Sequence, residues 1–296
     1  MELKTNVADN TKTKRRGQFG SICLRFSKNK MAMLGLILFV IVLFFAVFAG
    51  LFANYEEDAI KQSVYDRYQA PNQEHIFGTD GYGRDLFARV IFGARQSLLI
   101  SLTSVSASMI LGCIIGAICA YYGGLLDSIV MRLVDVLLAL PTTLMAVTVV
   151  AALGTSVVNL VIALTISLIP PFIRIVRSAV LQVKGADYIE AAKAYGAKDK
   201  RIIFNHVIPN AIGPIIVQAT QNLASTLLSV AALGFIGLGV PSPTPEWGTM
   251  LAEGKTQMRY YPYLVIIPGI AIATSVLSIN LIGDGLRDAL DPKLKN

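Results

Sequence analysis

Six stretches of predominantly apolar residues divide this chain: Met31 to Ala53, Ser97 to Tyr122, Ile129 to Leu153, Val157 to Val176, Ile212 to Val240 and Pro262 to Ile282. A bilayer hydrocarbon core of about 30 Å takes roughly 20 such residues per helix. Lipid offers backbone amides no partner, so each stretch must satisfy its own hydrogen bonds, and an α-helix does so within one segment. The expected fold class is therefore all-α, a polytopic membrane protein with six transmembrane helices. A composition of 54% hydrophobic and 15% charged residues, with a mean hydropathy of +0.60, is far from that of a soluble globular domain. The first stretch is too long for the apolar region of a cleavable leader, and no small-residue cleavage site follows it. It is expected to stay as a helix.

Lys and Arg accumulate on the cytoplasmic side of membrane proteins, so their distribution orients the chain. Before the first stretch stand Lys4, Lys12, Lys14, Arg15, Arg16, Arg25, Lys28 and Lys30 against Glu2 and Asp9. Between the fourth and fifth stand Arg174, Arg177, Lys184, Lys193, Lys198, Lys200 and Arg201 against Asp187, Glu190 and Asp199. Both segments are expected inside, which fits an even number of crossings and places the N- and C-termini in the cytoplasm. The acidic segment Glu56, Glu57, Asp58 then lies outside. The net charge of +7 flanks helices and forms no continuous basic face, so it describes topology, with no nucleic acid expected as a partner.

Polar residues inside the apolar stretches must face protein or water. Gln218, Asn222, Ser225 and Ser229 recur at steps of four, three and four, which is one face of a helix. That face is either the wall of a hydrated translocation pathway or a set of interhelical hydrogen bonds. Ser104, Ser108, Gly112, Gly116 and Ala120 form a small-residue stripe suited to close helix packing. Pro141, Pro170 and Pro171 predict bends or breaks. Arg132 and Asp135 stand three apart and are expected to pair on one helix face.

No catalytic or metal apparatus emerges. Gly254-Lys255-Thr256 looks like the end of a phosphate-cradling loop, but Gly248 is one position too far away and no strand precedes it. Gly78 to Asp85 has glycines without the strand and helix of a dinucleotide site, and reads as a turn entering an interfacial helix. His75 and His206 fall in opposite aqueous loops, so they cannot share a metal ion. Cys23, Cys113 and Cys119 have no spacing that suggests a disulfide framework. With no paired carboxylates or nucleophile and base set in the spans, the chain is read as a non-enzyme.

The segment Glu190-Ala191-Ala192-Lys193-Ala194-Tyr195-Gly196, followed by a charged turn and His206-Val207-Ile208-Pro209, lies in the basic loop between the fourth and fifth stretches. It resembles the cytoplasmic EAA loop of ABC-importer permeases. Further strings resemble the dipeptide, oligopeptide and nickel permease family, in the order of its C-type subunit. They are His75 to Asp80 with Gly83-Arg84-Asp85, Gly237 to Val240, Pro243 to Gly248, and Gly283 to Pro292.

The resemblance implies a type I ABC importer permease fold in the cytoplasmic membrane of a bacterium or archaeon. It divides the chain into a basic cytoplasmic tail at 1–30, a first transmembrane helix at 31–53 and an extracytoplasmic segment with an interfacial helix at 54–96. A five-helix core at 97–283 follows, including a cytoplasmic coupling loop at 178–210, and then a cytoplasmic C-terminal tail at 284–296. It also implies three kinds of partner besides the lipid bilayer: a second homologous permease subunit, two cytoplasmic ATPase subunits and an extracytoplasmic solute-binding protein. ATP and Mg would be used by the ATPases, and no cofactor is expected on this chain.

By the same resemblance, Tyr188, Glu190, Ala191, Ala192, Ala194, Gly196, Ala197, His206 and Pro209 would couple to an ATPase. Glu190, Ala191 and Ala192 would open a short helix, Gly196 would allow a turn, and Pro209 would mark the return to the fifth span. The expected cargo is a peptide, with nickel or a metal chelate as the alternative. A secondary transporter working alone and a structural scaffold remain the readings from other classes. Outside, Asn54 to Arg95 and Pro241 to Tyr261 are expected to gate the pore or meet the binding protein, with Trp247 as an interfacial anchor.

Overall fold

Helix α1 (Gln18–Lys28) ends at Asn29, whose side-chain oxygen accepts hydrogen bonds from the amides of Met31 and Ala32. That capping oxygen satisfies two of the donors a helix start leaves free, and α2 (Lys30–Val47) follows as the first apolar rod. The computed structural model describes residues 18–290. The charged residues before Gln18, and Asp291 and Pro292 of the last motif, lie outside that range. Among the described residues there is no strand, only one isolated bridge between Thr79 and Asp85.

After α3 (Ala49–Phe52) and one wide turn at Tyr55–Ile60, an irregular stretch leads to α4 (Leu86–Tyr122). Its 37 residues span about 55 Å at 1.5 Å each, well beyond a hydrocarbon core. The helix that carries the second crossing thus starts at Leu86, earlier than the apolar stretch. Asp85 caps α4 by accepting from the Ala88 amide, and the glycine-rich turn before it feeds directly into the crossing.

The third stretch is two helices, α5 (Gly124–Leu138) and α6 (Thr142–Leu153), meeting at 87° across Pro141. The expected break is present. In α7 (Val157–Lys184), by contrast, the helix continues through Pro170 and Pro171, so of the bend or break expected there no break occurs. The hydroxyl of Ser104 bonds the Val161 carbonyl at 3.4 Å, and that of Ser108 bonds the Thr165 carbonyl at 3.1 Å. A Cβ on Gly112 would stand 2.4 Å from the Phe172 Cβ. The small-residue stripe of α4 is therefore the seat of α7, as its spacing predicted.

The chain then forms α8 (Asp187–Ala194), α9 (Asp199–Ile202) and α10 (Ile208–Phe235), with one wide turn at Ile203–Val207 joining the last two. The short α11 (Trp247–Gly254) precedes α12 (Tyr263–Leu290). The last helix runs on to Leu290, so residues 284–290, expected in the tail, continue it.

Contacts between helix ends bear on the number of spans. Asn29, at the start of α2, donates to the Asp288 carboxylate near the end of α12 at 3.2 Å. Asp127, at the start of α5, takes a two-pronged bond from Arg177 near the end of α7, both distances 2.6 Å. The α6 residues Ala146 and Val150 pack with Leu160 and Leu164 at the opposite end of α7. The bent pair therefore reaches from one end of α7 to the other, and counted as one span with α2, α4, α7, α10 and α12 it gives six candidate membrane spans. The expected partner of Asp135 is corrected: it pairs with Arg174 on α7, not with Arg132. An interhelical pair fixes the bent hairpin to its neighbour, which a pair within one helix does not.

Candidate functional site: a seated loop and an opposite cap

One end of the bundle carries the loop between α7 and α10. Ile189, Ile202, Ile203 and Val207 are buried there against Ala117, Ala120 and Tyr121 of α4, Val176, Ala179 and Val180 of α7, and Ala211 and Ile215 of α10. The loop is thus seated on the bundle by branched aliphatic side chains. Its helix starts at Asp187, before the Glu190 expected to open it, because Asp187 and Glu190 both fall in the first turn, where carboxylates suit the helix dipole.

The end of α8 is a glycine turn. Gly196 adopts φ +77°, its amide bonds the Lys193 carbonyl at 2.9 Å, and the Ala197 amide bonds the Ala192 carbonyl at 3.0 Å. This pairing closes a helix C-terminus around a left-handed residue, the position glycine fills without strain. Pro209 occupies the first turn of α10, where a missing N–H leaves no intrahelical bond unmade.

The nine residues assigned to coupling divide by exposure. Ala192 and Ala197 pack against the aliphatic seat, and His206 is half-buried. Tyr188, Glu190, Ala191, Ala194, Gly196 and Pro209 are exposed. Tyr195, which the sequence reading passed over, is 93% exposed at the end of α8. An aromatic side chain directly before a helix-ending glycine was the available signal.

The α10 face splits in two. The Gln218 side-chain amide donates to Asn222 at 3.0 Å, and Asn222 is buried. Ser225 and Ser229 bond carbonyls of their own helix. They also line a cavity of about 50 Å³ with Thr142 and Thr143 of α6, Ser167 of α7 and Thr226. The Pro141 break points the start of α6, with its two threonines, at the α10 serines. Ala146, Leu164 and Leu168 complete its lining, so sequence periodicity found one side of this small mixed cavity and missed the other.

The opposite end is a cap built from 54–85 and α11. Arg84 donates to Asp80 at 2.7 Å and to Glu253 at 2.6 Å. Arg89 donates to Glu253 at 3.2 Å and to the carbonyls of Ala59 at 3.0 Å and Pro243 at 3.2 Å. Both guanidinium groups are buried. His75 pairs with Asp85 at 2.8 Å.

Glu246 accepts from Ser97 at 3.0 Å and from the amides of Gly248 and Thr249 at 2.8 and 2.9 Å. Burial pushes its carboxyl above the ordinary range, against the pull of those three bonds. Trp247 is 1% exposed, and its indole N–H donates to the Val90 carbonyl at 2.9 Å. The expected interfacial anchor is therefore a core residue. Gly93 makes room for its ring, since a Cβ there would stand 3.1 Å from the indole.

Residues 109–296 match the sequence profile of the family described as binding-protein-dependent transport system inner membrane component. The chain belongs to that family. Residues 17–71 of this permease match the N-terminal TM domain of oligopeptide transport permease C.

The permease is 44% identical over 272 residues to the dipeptide transport system permease protein DppC of Alkalihalophilus pseudofirmus, covering 92% of this chain and 89% of that one. It is 40% identical to the oligopeptide transport system permease protein OppC of Bacillus subtilis, covering 92% and 88%. It is 41% identical to the glutathione transport system permease protein GsiD of Escherichia coli, covering 92% and 89%.

Among solved structures, an inward-facing conformation of the MetNI methionine ABC transporter matches with a TM-score of 0.55 at 20% identity. The match covers 68% of this chain and 96% of that one, and it supports the ABC importer permease fold. The permease is an integral, multi-pass, all-α membrane protein.

Proposed function

We propose that this permease is the C-type membrane subunit of an ATP-driven peptide importer in the cytoplasmic membrane, with the α8 loop and both termini inside. A second homologous permease, two ATPases and an external binding protein complete the complex. ATP and Mg act on the ATPases alone. The observation that carries the coupling role is the division of the α8 loop into a buried aliphatic seat and an outward face of Tyr188, Glu190, Ala191, Ala194 and Tyr195. Small alanines let a partner groove approach the helix closely, and the seat transmits displacement because packed interiors do not compress.

In this reading, closure of the ATPases on ATP pushes the loop and tilts α7 and α10, opening the passage outward. Hydrolysis resets it. The cavity between Ser225, Ser229, Thr142 and Thr143 is small, about 50 Å³, and would have to widen during transport to offer its hydroxyl groups to a solute rich in amides such as a peptide. The relatives' names point to the same class, dipeptides, oligopeptides and glutathione. The permease with its ATPases, second permease and binding protein in liposomes should take up labelled dipeptide only with ATP inside. Uptake by this chain alone, or full uptake with the residues of α8 scrambled, would overturn the proposal.

A further inference from the structure

Tyr121 stands at the inner end of α4 and is 6% exposed. Its hydroxyl donates to the Asp199 carboxylate, at the first position of α9, over 2.7 Å. The ring is flanked by Lys193 of α8, 5.3 Å from its centroid, and Lys184 of α7, 6.0 Å away. Lys184 also donates to the Ala120 carbonyl at 3.1 Å. One aromatic side chain thus meets both helices of the loop and the helix that leads into it. Its contacts with Asp199 and the two lysines are polar and directional, unlike the aliphatic seat around it.

The same helix is fastened at its other end. Arg89, about 48 Å away along α4 at 1.5 Å per residue, grips Glu253 and the carbonyls of Ala59 and Pro243 in the cap. Between the two ends α4 is unbroken and contains no proline. A continuous helix tied at both ends passes on an axial displacement without absorbing it in a kink.

We infer that Tyr121 is a positioning residue for transport: its bond to Asp199 is the joint through which movement of the loop enters α4 and reaches the outer cap. This rests on the loop's role in coupling. Tyr121 touches neither solute nor nucleotide, and it acts by holding α9 in register with α4.

The test uses the full complex in liposomes, measuring tritiated dialanine taken up and phosphate released in the same vesicles. Tyr121→Phe and Asp199→Ala should each keep ATPase binding and hydrolysis, while dipeptide moved per ATP falls roughly tenfold, the size expected for one hydrogen bond to a charged group. The double variant should fall no further than either single one, because both remove the same bond. Asp199→Glu, which keeps the acceptor, should recover part of the ratio.

An unchanged ratio in Tyr121→Phe overturns the joint, as does a loss of ATPase binding or an additive double variant. A native complex that recruits no ATPase removes the coupling reading itself, and the joint with it.

Discussion

The two ends of this permease are fastened by different chemistry. The cap uses buried charge: Arg84, Arg89 and Asp80 are enclosed beside a half-buried Glu253, and each guanidinium ties segments far apart in sequence. The loop uses mainly aliphatic burial, with Ile189, Ile202, Ile203 and Val207 as its seat, the Tyr121–Asp199 bond as a polar tie and an exposed upper face. Buried ion pairs with extra hydrogen bonds demand one geometry, because any displacement leaves charge unpaired at low dielectric. Aliphatic contact is non-directional and tolerates sliding. A fixed cap and a seat that shifts as a unit suit a machine pushed from one end.

The comparison breaks most readily at Arg89. Arg89→Ala leaves Glu253 short of a partner, exposes Asp80 to an empty space and frees the carbonyls of Ala59 and Pro243. Both carboxylates keep Arg84 as a partner, so the cost is that of two orphaned carbonyls and one lost bond to a charged group, about 3–5 kcal/mol together. Thermal unfolding of the purified permease in detergent should show the largest drop of any single change discussed here. A loss below about 1 kcal/mol, the worth of an exposed pair, would mean that the cap charges are solvated and that the two ends do not differ in kind.

A second contrast needs only a methyl group. Gly248 in the cap lies against the backbone of α10, where an added Cβ would stand 2.3 Å from the Ala231 carbonyl oxygen. Gly248→Ala should cost about 1–3 kcal/mol by overpacking. Gly196 in the loop has open space around it but a φ of +77°. Gly196→Ala therefore meets only backbone strain of about 1–2 kcal/mol, partly offset by roughly 0.4–1 kcal/mol from the stiffer unfolded chain. Unfolding midpoints of the two variants should rank the cap below the loop. The reverse order would show the loop to be the more tightly determined end.

Much of this architecture is written in local pattern. Six apolar runs gave six candidate spans, the Ser104 to Ala120 stripe gave the seat of α7, and Gly196 gave the loop's turn. What the pattern hid depends on partners distant in sequence. Trp247 looks like an interfacial anchor until Gly93 and the Val90 carbonyl are placed around it. Asp135 looks for Arg132 along its own helix until the bent hairpin brings Arg174 alongside.

Pro170 and Pro171 predict a bend or a break, yet α7 is not broken, since close packing on α4 holds the helix where local preference would end it. On α10, the period of Ser225 and Ser229 was visible, but Thr142 and Thr143 joined them only through the 87° bend at Pro141. Tyr121 and Asp199 stand far apart in sequence, and neither residue type announces the other.

The smallest expected effect on stability is the most informative about function. Glu190 and Tyr195 project from α8 into solvent, and neither belongs to the aliphatic seat. Surface changes of this kind usually stay within about 0.5 kcal/mol, so Glu190→Ala and Tyr195→Ala should unfold at the native temperature in detergent. Their effect should appear when the ATPases are present. An exposed aromatic beside small alanines fits the profile of a residue that carries binding energy at an interface. Tyr195→Ala should weaken ATPase capture by about 2 kcal/mol or more, roughly thirtyfold, in a pull-down titration with purified subunits. Glu190→Ala should lower hydrolysis-coupled uptake while changing capture less, because its carboxylate sits in the first turn and bears on the orientation of α8 through the helix dipole. If both variants capture the ATPases as the native chain does and support full uptake, the outward face of the loop is solvent surface, and the difference between the two ends concerns stability alone.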